Sequence, residues 1–225
     1  MILQKRILNN NTLSLEGPIG EPPENLKIEF DLSSNIIYIP EIAEFDGEYR
    51  LISRLGHNCF DNVPAEKIVI PKTIKEIEWS FYECSQLRSI LVADNNFHFC
   101  DIDGVLYSKD KKALLAYPNA KSEVYHIPNG TEIIRHFAFK TCKIKELHIP
   151  SSITKIEANA FYCCRQLKDI FFEDKNITSL RDMKYAGFIS TDYGSKGVNP
   201  VCHFEGKQML LNELANFCGT SSWKK

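Results

Sequence analysis

Long hydrophobic runs are missing from this 225-residue chain: no stretch approaches the ~18 apolar residues of a helical membrane span, so none is expected. Charge of one sign is missing too. Twenty-seven Lys and Arg stand against 29 Asp and Glu, a formal net charge of -2 scattered along the chain. That balance offers no basic field for nucleic-acid phosphates and no polybasic patch for anionic lipid, and neither is expected as a partner. Eight cysteines fall below the density of a disulfide scaffold, and three recur at matched places, so buried thiols are expected rather than bridges. Met1 to Leu8 runs directly into Asn9-Asn10-Asn11 without an apolar core or a cleavage site, so no secretory signal is expected in this sequence and the cytoplasm is the compartment it implies as written.

Catalytic and ligand signatures are likewise scarce. Gly194-Ser195-Lys196-Gly197 lacks the preceding strand and the glycine spacing of a phosphate loop. No serine elbow, helical metal-binding pair or zinc-finger cysteine spacing occurs. Cys163-Cys164 is the nearest redox feature, but adjacent cysteines rarely pair, and Cys164 falls at a repeat position expected to be buried. No catalytic residue, metal ligand or cofactor is assigned.

What is present is a repeat, which must be sought before secondary structure is read. Ile68-Val69-Ile70-Pro71-Lys72-Thr73-Ile74-Lys75-Glu76-Ile77 returns as Leu147 to Ile156, with a third copy at Tyr125 to Ile134. Each copy leads into an aromatic and cysteine block, Ser80-Phe81-Tyr82-Glu83-Cys84, Ala138-Phe139-Lys140-Thr141-Cys142 and Ala160-Phe161-Tyr162-Cys163-Cys164. Apolar triplets follow at Leu87/Ile90/Val92, Ile144/Leu147/Ile149 and Leu167/Ile170/Phe172, with a weaker copy at Ala65/Ile68/Ile70, and the period is about 22 residues. Apolar residues two apart face one side of a short strand, and the following prolines stop the ladder. Each repeat supplies one strand, and Phe81, Phe139 and Phe161 are expected to stack coil on coil as one hidden ladder. No repeat buries that set alone, so stacking neighbours must close a continuous core, as in a solenoid.

The run Ile149 to Phe172, isoleucine-proline, bend, alanine-phenylalanine, cysteine, leucine-x-x-isoleucine, resembles the BspA-like branch of leucine-rich repeats, over about Ile36 to Glu173. The resemblance implies a leucine-rich-repeat solenoid, α/β or mainly β, coiled right-handed. Short parallel strands would line one face, irregular or short helical segments the other, and the ends would be capped. It also implies protein binding, adhesion in particular, with a cell-surface or secreted location as the alternative to the cytoplasm. Asp103 to Pro118 resembles the hairpin such chains carry between repeats, and its strands flank a polar Lys109-Asp110-Lys111-Lys112 turn.

Three regions follow. Residues 1–35 are expected as a β cap, because Leu13 and Leu15, then Leu26, Ile28, Phe30 and Leu32, alternate around Gly17-Pro18 and Pro22-Pro23. Residues 36–174 form the solenoid, with the hairpin at about 101–120 and a bulging coil where Glu44 to Tyr49 lengthens the Ile39–Ile70 interval. Residues 175–225 hold a loop across Arg181 to Asn199 and a C-terminal cap, with an amphipathic helix expected over 207–217 from the spacing of Met209, Leu210, Leu214 and Phe217.

Strand alternation sends Tyr38, Val69, Leu91, His126, His148 and Phe171 outward, beside a second row of Lys67, Ser89, Val124, Glu146 and Asp169. An apolar and aromatic row next to a polar one is what a partner-binding face offers. The leading reading is a non-catalytic protein-interaction module. Alternatives are self-association through the same face, cover by the hairpin or by the loop after Leu180, and a ligand receptor or enzyme whose pocket is built by Asp101–Ala120 and Asp182–Asn199. His126 and His148 occupy equivalent places in neighbouring coils, and their mutual repulsion when protonated is expected to weaken partner binding near pH 6.

Overall fold

The computed structural model describes residues 2–8, 10–17, 27–30, 34–78, 80–173, 200–204, 206–210 and 213–214. The expected strand positions Leu26 and Leu32, the turn residues Pro18, Pro22 and Pro23, and the loop Arg181–Asn199 lie outside them. The chain divides into two compact units, Met1–Lys109 and Asp110–Lys225. Both are rich in strands, and among the described residues almost no helix is present.

The first unit holds strands β1 (Ile2–Ile7), β2 (Leu13–Glu16), β3 (Lys27–Glu29), β4 (Ile36–Tyr38), β5 (Ile42–Phe45), β6 (Glu48–Leu55), β7 (Lys67–Ile70), β8 (Glu76–Ile77), β9 (Ser89–Val92), β10 (Phe99–Ile102) and β11 (Val105–Ser108). One sheet has the order β3-β1-β2-β6-β5, with β8 also pairing β6. The long strand β6 serves two partners: Glu48–Leu51 pairs antiparallel with β5, while its second half runs parallel to β2 and β8. Leu13 and Leu15 of β2 and Ile52 and Leu55 of β6 are fully buried where these strands pair. A separate parallel ladder, β4-β7-β9, aligns Ile37 with Ile68 and Ile68 with Ile90.

Two hairpins have the same chemistry. The expected bulge at Glu44–Tyr49 is the β5-β6 hairpin, turned at Asp46 (φ 52) and Gly47 (φ 79). The β10-β11 hairpin turns at Asp103 (φ 50) and Gly104 (φ 73). A two-residue turn that matches strand twist needs left-handed backbone at both central positions, which Asp-Gly tolerates well. The second hairpin is tied down by Asn96, which is fully buried. Asn96 Nδ2 donates to Pro71 O (2.9 Å) and Ile74 O (3.0 Å), and its Oδ1 accepts from the backbone N–H of His98 (2.8 Å) and Phe99 (2.9 Å). All four hydrogen-bonding positions of the amide are thereby filled, as burial demands.

The second unit holds β12 (Ala113–Ala116), β13 (Val124–His126), β14 (Ile133–Ile134), β15 (Glu146–Ile149), β16 (Lys155–Ile156), β17 (Asp169–Phe172), β18 (Val201–Phe204) and β19 (Lys207–Leu210). Strands β13, β15, β17 and β18 form a parallel ladder in which Tyr125, Leu147, Ile170 and Cys202 are successive partners. A second parallel ladder, β12-β14-β16, passes through Leu114, Ile134 and Ile156, all fully buried. Between the two ladders each coil bends around a buried ring.

Those rings stack within each unit. Phe60 and Phe81 lie 5.9 Å apart and nearly parallel in the first; Tyr117, Phe139 and Phe161 follow one another at 5.1 and 5.3 Å in the second. Every one of them is buried. Of the expected ladder, Phe81 stacks on Phe60 within the first unit, and Phe139 and Phe161 stack with Tyr117 within the second. The cysteine three residues after the phenylalanine has a fixed task. Its Sγ reaches back one coil to a backbone carbonyl: Cys84 to Phe60 O (2.9 Å), Cys142 to Tyr117 O (3.4 Å) and Cys164 to Phe139 O (2.6 Å). Bend carbonyls that β pairing leaves over are satisfied this way. Burial pushes the Cys84 thiol up to about 12, and it raises those of Cys59 and Cys142 as well.

The bends also use left-handed backbone at fixed places. Two residues after the phenylalanine, Asn62, Glu83, Thr141 and Cys163 all have φ between 55 and 58. Two residues before it, Asn58, Phe137 and Asn159 have φ between 55 and 60. Asparagine fits this region and phenylalanine does not, so Phe137 carries backbone strain.

The helix expected over 207–217 is corrected at its start. Lys207–Leu210 is strand β19, antiparallel to β18 with Phe204 opposite Lys207. Gly206, at φ 72, closes the turn, and the open edge of β18 takes the following segment as a strand because its N–H and C=O groups need partners. Met209 opposite Cys202 continues the sheet's inner row. Residues 211, 212 and 215–217 lie outside the described residues.

Candidate interaction face

In the first unit Tyr38, Val69 and Leu91 occupy matching register positions on β4, β7 and β9, with Lys67 and Ser89 paired beside them. Tyr38 is 67% exposed, Val69 and Leu91 are half-buried, and Lys67 is exposed. The hairpin leans on the last strand of this ladder. Ile90 N–H donates to Gly104 O (2.8 Å), and Val92 N–H donates to Asp101 Oδ1 (2.8 Å). Gly104 approaches so closely that a Cβ there would stand 2.8 Å from Ser89 Oγ. Ser89 therefore sits beneath the hairpin, and β9 has its edge N–H groups satisfied by it.

In the second unit the outward row is a stack of rings. His126 lies on His148 (centroids 3.8 Å, 19° between planes), His148 on Phe171 (4.7 Å, 10°) and Phe171 on His203 (4.2 Å, 12°). In-register parallel pairing forces this: His126, His148, Phe171 and His203 are successive register partners, and neighbouring strands lie ~4.8 Å apart. The flanking row is Val124, Glu146, Asp169 and Val201. Two of its members hold imidazoles. His148 Nε2 stands 2.6 Å from Glu146 Oε1, and His203 Nε2 stands 2.8 Å from Asp169 Oδ1. An ionised carboxylate accepts only, so each of these bonds puts a proton on Nε2. Side-chain exposure is 22% for His148, 21% for His203 and 38% for each acid, so the row is ordered yet open to a partner. His126 and Val124 are more exposed still.

The six residues expected in one row therefore stand in two groups of three, in two different sheets. His203 was not foreseen. Its signal was the alternation Val201-Cys202-His203-Phe204, which repeats Asp169-Ile170-Phe171-Phe172; the register step from Ile170 to Cys202 exceeds the 22-residue period and hid it.

In-register parallel strands about 22 residues apart, closed by bends with stacked buried rings, define a leucine-rich-repeat protein. A family model described as "BspA type Leucine rich repeat region" matches residues 29–101 and 115–192 in six copies. The chain belongs to the BspA-type leucine-rich-repeat family. A search of curated proteins finds no match. Among solved structures the chain is similar to the pneumococcal vaccine antigen PcpA, at 29% identity over 53% of this chain and 30% of that one, with a TM-score of 0.47. A leucine-rich-repeat protein from Eubacterium ventriosum is 25% identical over 55% of this chain and 40% of that one, TM-score 0.46. A leucine-rich cell surface protein from Faecalibacterium prausnitzii is 17% identical over 84% and 79%, TM-score 0.35. The chain thus spans less than half the length of the first two. Among the described residues no helix is long and apolar enough to cross a membrane.

Proposed function

We propose that this chain is a non-catalytic protein-interaction module that binds a protein partner through the outward faces of its strands. One observation carries the reading: the ordered stack His126, His148, Phe171 and His203 on a partly exposed face. Rings held in fixed rotamers lose little entropy on docking, and aromatic side chains dominate the energetics of protein interfaces. Membership of a family of repeat modules supports the same reading, and adhesion is the role we favour within it. Tyr38, Val69 and Leu91, with Lys67 at their flank, form a second candidate row within the first unit. Right-handed coiling and capped ends belong to this reading too.

The test is a pull-down with the intact chain against a Leu91→Asp/Phe171→Asp double substitution. Both side chains are half-buried, so circular dichroism serves as the folding control. Loss of the captured protein with an unchanged spectrum is expected; capture that persists refutes the face. A mass that rises with concentration, and that the substitution abolishes, would assign the face to self-assembly instead.

A further inference from the structure

The outward rows of the β13-β15-β17-β18 ladder contain Glu146 and Asp169 and no lysine or arginine. At the end of the sheet β19 adds only Gln208 and Leu210, opposite His203 and Val201. With neutral imidazoles the rows carry two negative charges; with all three histidines protonated they carry one net positive charge. The bordering groups do not set this sign. Glu123 and Lys145 pair with each other at 2.6 Å. Lys168 stands at the start of β17, and Glu173 and Lys207 lie at the opposite strand ends.

From this charge pattern we infer that the ladder docks a basic polypeptide segment and that protonation of His126, His148 and His203 releases it. The inference rests on the binding face proposed above and names its partner. At neutral pH, His148 and His203 each engage one carboxylate oxygen and hold Glu146 and Asp169 in place. The second oxygen of each remains an acceptor for a guanidinium or ammonium group. On acidification each imidazolium neutralises the acid that it touches. His126 adds a further cation, and the flanking position beside it on its own strand is Val124, not an acid. That cation lies face to face with His148 at 3.8 Å. A basic partner then meets repulsion where it met acceptors. A metal ion is a poorer occupant, because among the described residues no three His, Cys, Asp or Glu side chains are placed to hold one.

The experiment uses the full chain and two fluorescent peptides of alternating sequence, arginine-valine and glutamate-valine, with anisotropy read at about pH 7.5 and about pH 5.5 in dilute salt. The arginine peptide is expected to bind at the higher pH and to weaken by about tenfold or more at the lower. Glu146→Gln/Asp169→Asn should lose binding at the higher pH. His126→Gln/His148→Gln/His203→Gln, which removes rings of the binding face, should bind more weakly at the higher pH and bind equally at the two pH values. Equal affinity of the arginine peptide at both pH values overturns the inference, as does a pH dependence that survives the histidine replacements or a preference for the glutamate peptide at the higher pH. If the Leu91→Asp/Phe171→Asp chain still fails to capture its partner while any of these occurs, the face stands and only its basic occupant falls.

Discussion

His203 Nε2 lies 2.8 Å from Asp169 Oδ1 on the neighbouring strand, a contact across 34 residues, whereas His148 reaches Glu146 on its own strand. The cross-strand contact and the parallel register make β18 a member of the outward face although its sequence has left the repeat. Because both acids are 38% exposed, these pairs shape the face without holding the fold. Glu146→Gln and Asp169→Asn should each lower stability by less than about 1 kcal/mol in urea unfolding.

Phe139 is different. It is fully buried and contacts Tyr117, Tyr125 and Phe161. Phe139→Ala removes the central rung of its stack and should cost about 3–5 kcal/mol by the same measurement. A loss below about 1 kcal/mol would mean that the rings are not in register.

The two Asp-Gly hairpins separate conformational strain from collision. Gly47→Ala at φ 79 meets nothing within 4 Å, so it should cost only the left-handed penalty of about 1–2 kcal/mol. Gly104→Ala at φ 73 pays the same penalty and also drives its Cβ to 2.9 Å from Ser89 Cβ, which should add about 1–3 kcal/mol. Ser89→Gly in the Gly104→Ala background should recover part of the difference.

Alkaline pH should unfold the protein. Burial holds the Cys84 thiol at about 12 in the folded chain against 9.0 for a free thiol, and it raises Cys59, Cys142, Tyr82 and Tyr117 in the same sense. Between those limits the unfolded chain has released protons that the folded chain retains, so stability falls as pH rises from about 9 toward 12. Circular dichroism across that range checks it, and a chain with equal stability at both ends would contradict it. Near neutral pH the half-buried Cys100 and Cys163 should react with an alkylating reagent before buried Cys59, Cys84 and Cys142 do.

The sequence announces what is periodic. The 22-residue spacing, the phenylalanine-cysteine blocks and the outward His126, His148 and Phe171 are all legible because each depends on residues recurring at one interval. What escaped depends on pairing. Tyr117 serves as a rung without the alanine-phenylalanine block, and β18 joins after a long connection. Lys207–Leu210 has an apolar pair that suits a helix or a strand equally, and the open edge of β18 decides for strand. Asp46-Gly47 and Asp103-Gly104 are both hairpin signals, and the insertion at Glu44–Tyr49 is a hairpin rather than a bulge because its Asp-Gly pair supplies the left-handed turn. Gly104 and Asp101 close the edge of β9, a contact that no local spacing records.

The most direct test of the central claim is side-chain footprinting of the chain with and without its captured partner, read by mass spectrometry. The account predicts that labelling of His126, His148, Phe171 and His203 falls together, while Phe137 and Tyr162 on the bends keep theirs. Protection confined to those bend residues, with the four stacked rings as reactive as in the free chain, would contradict it.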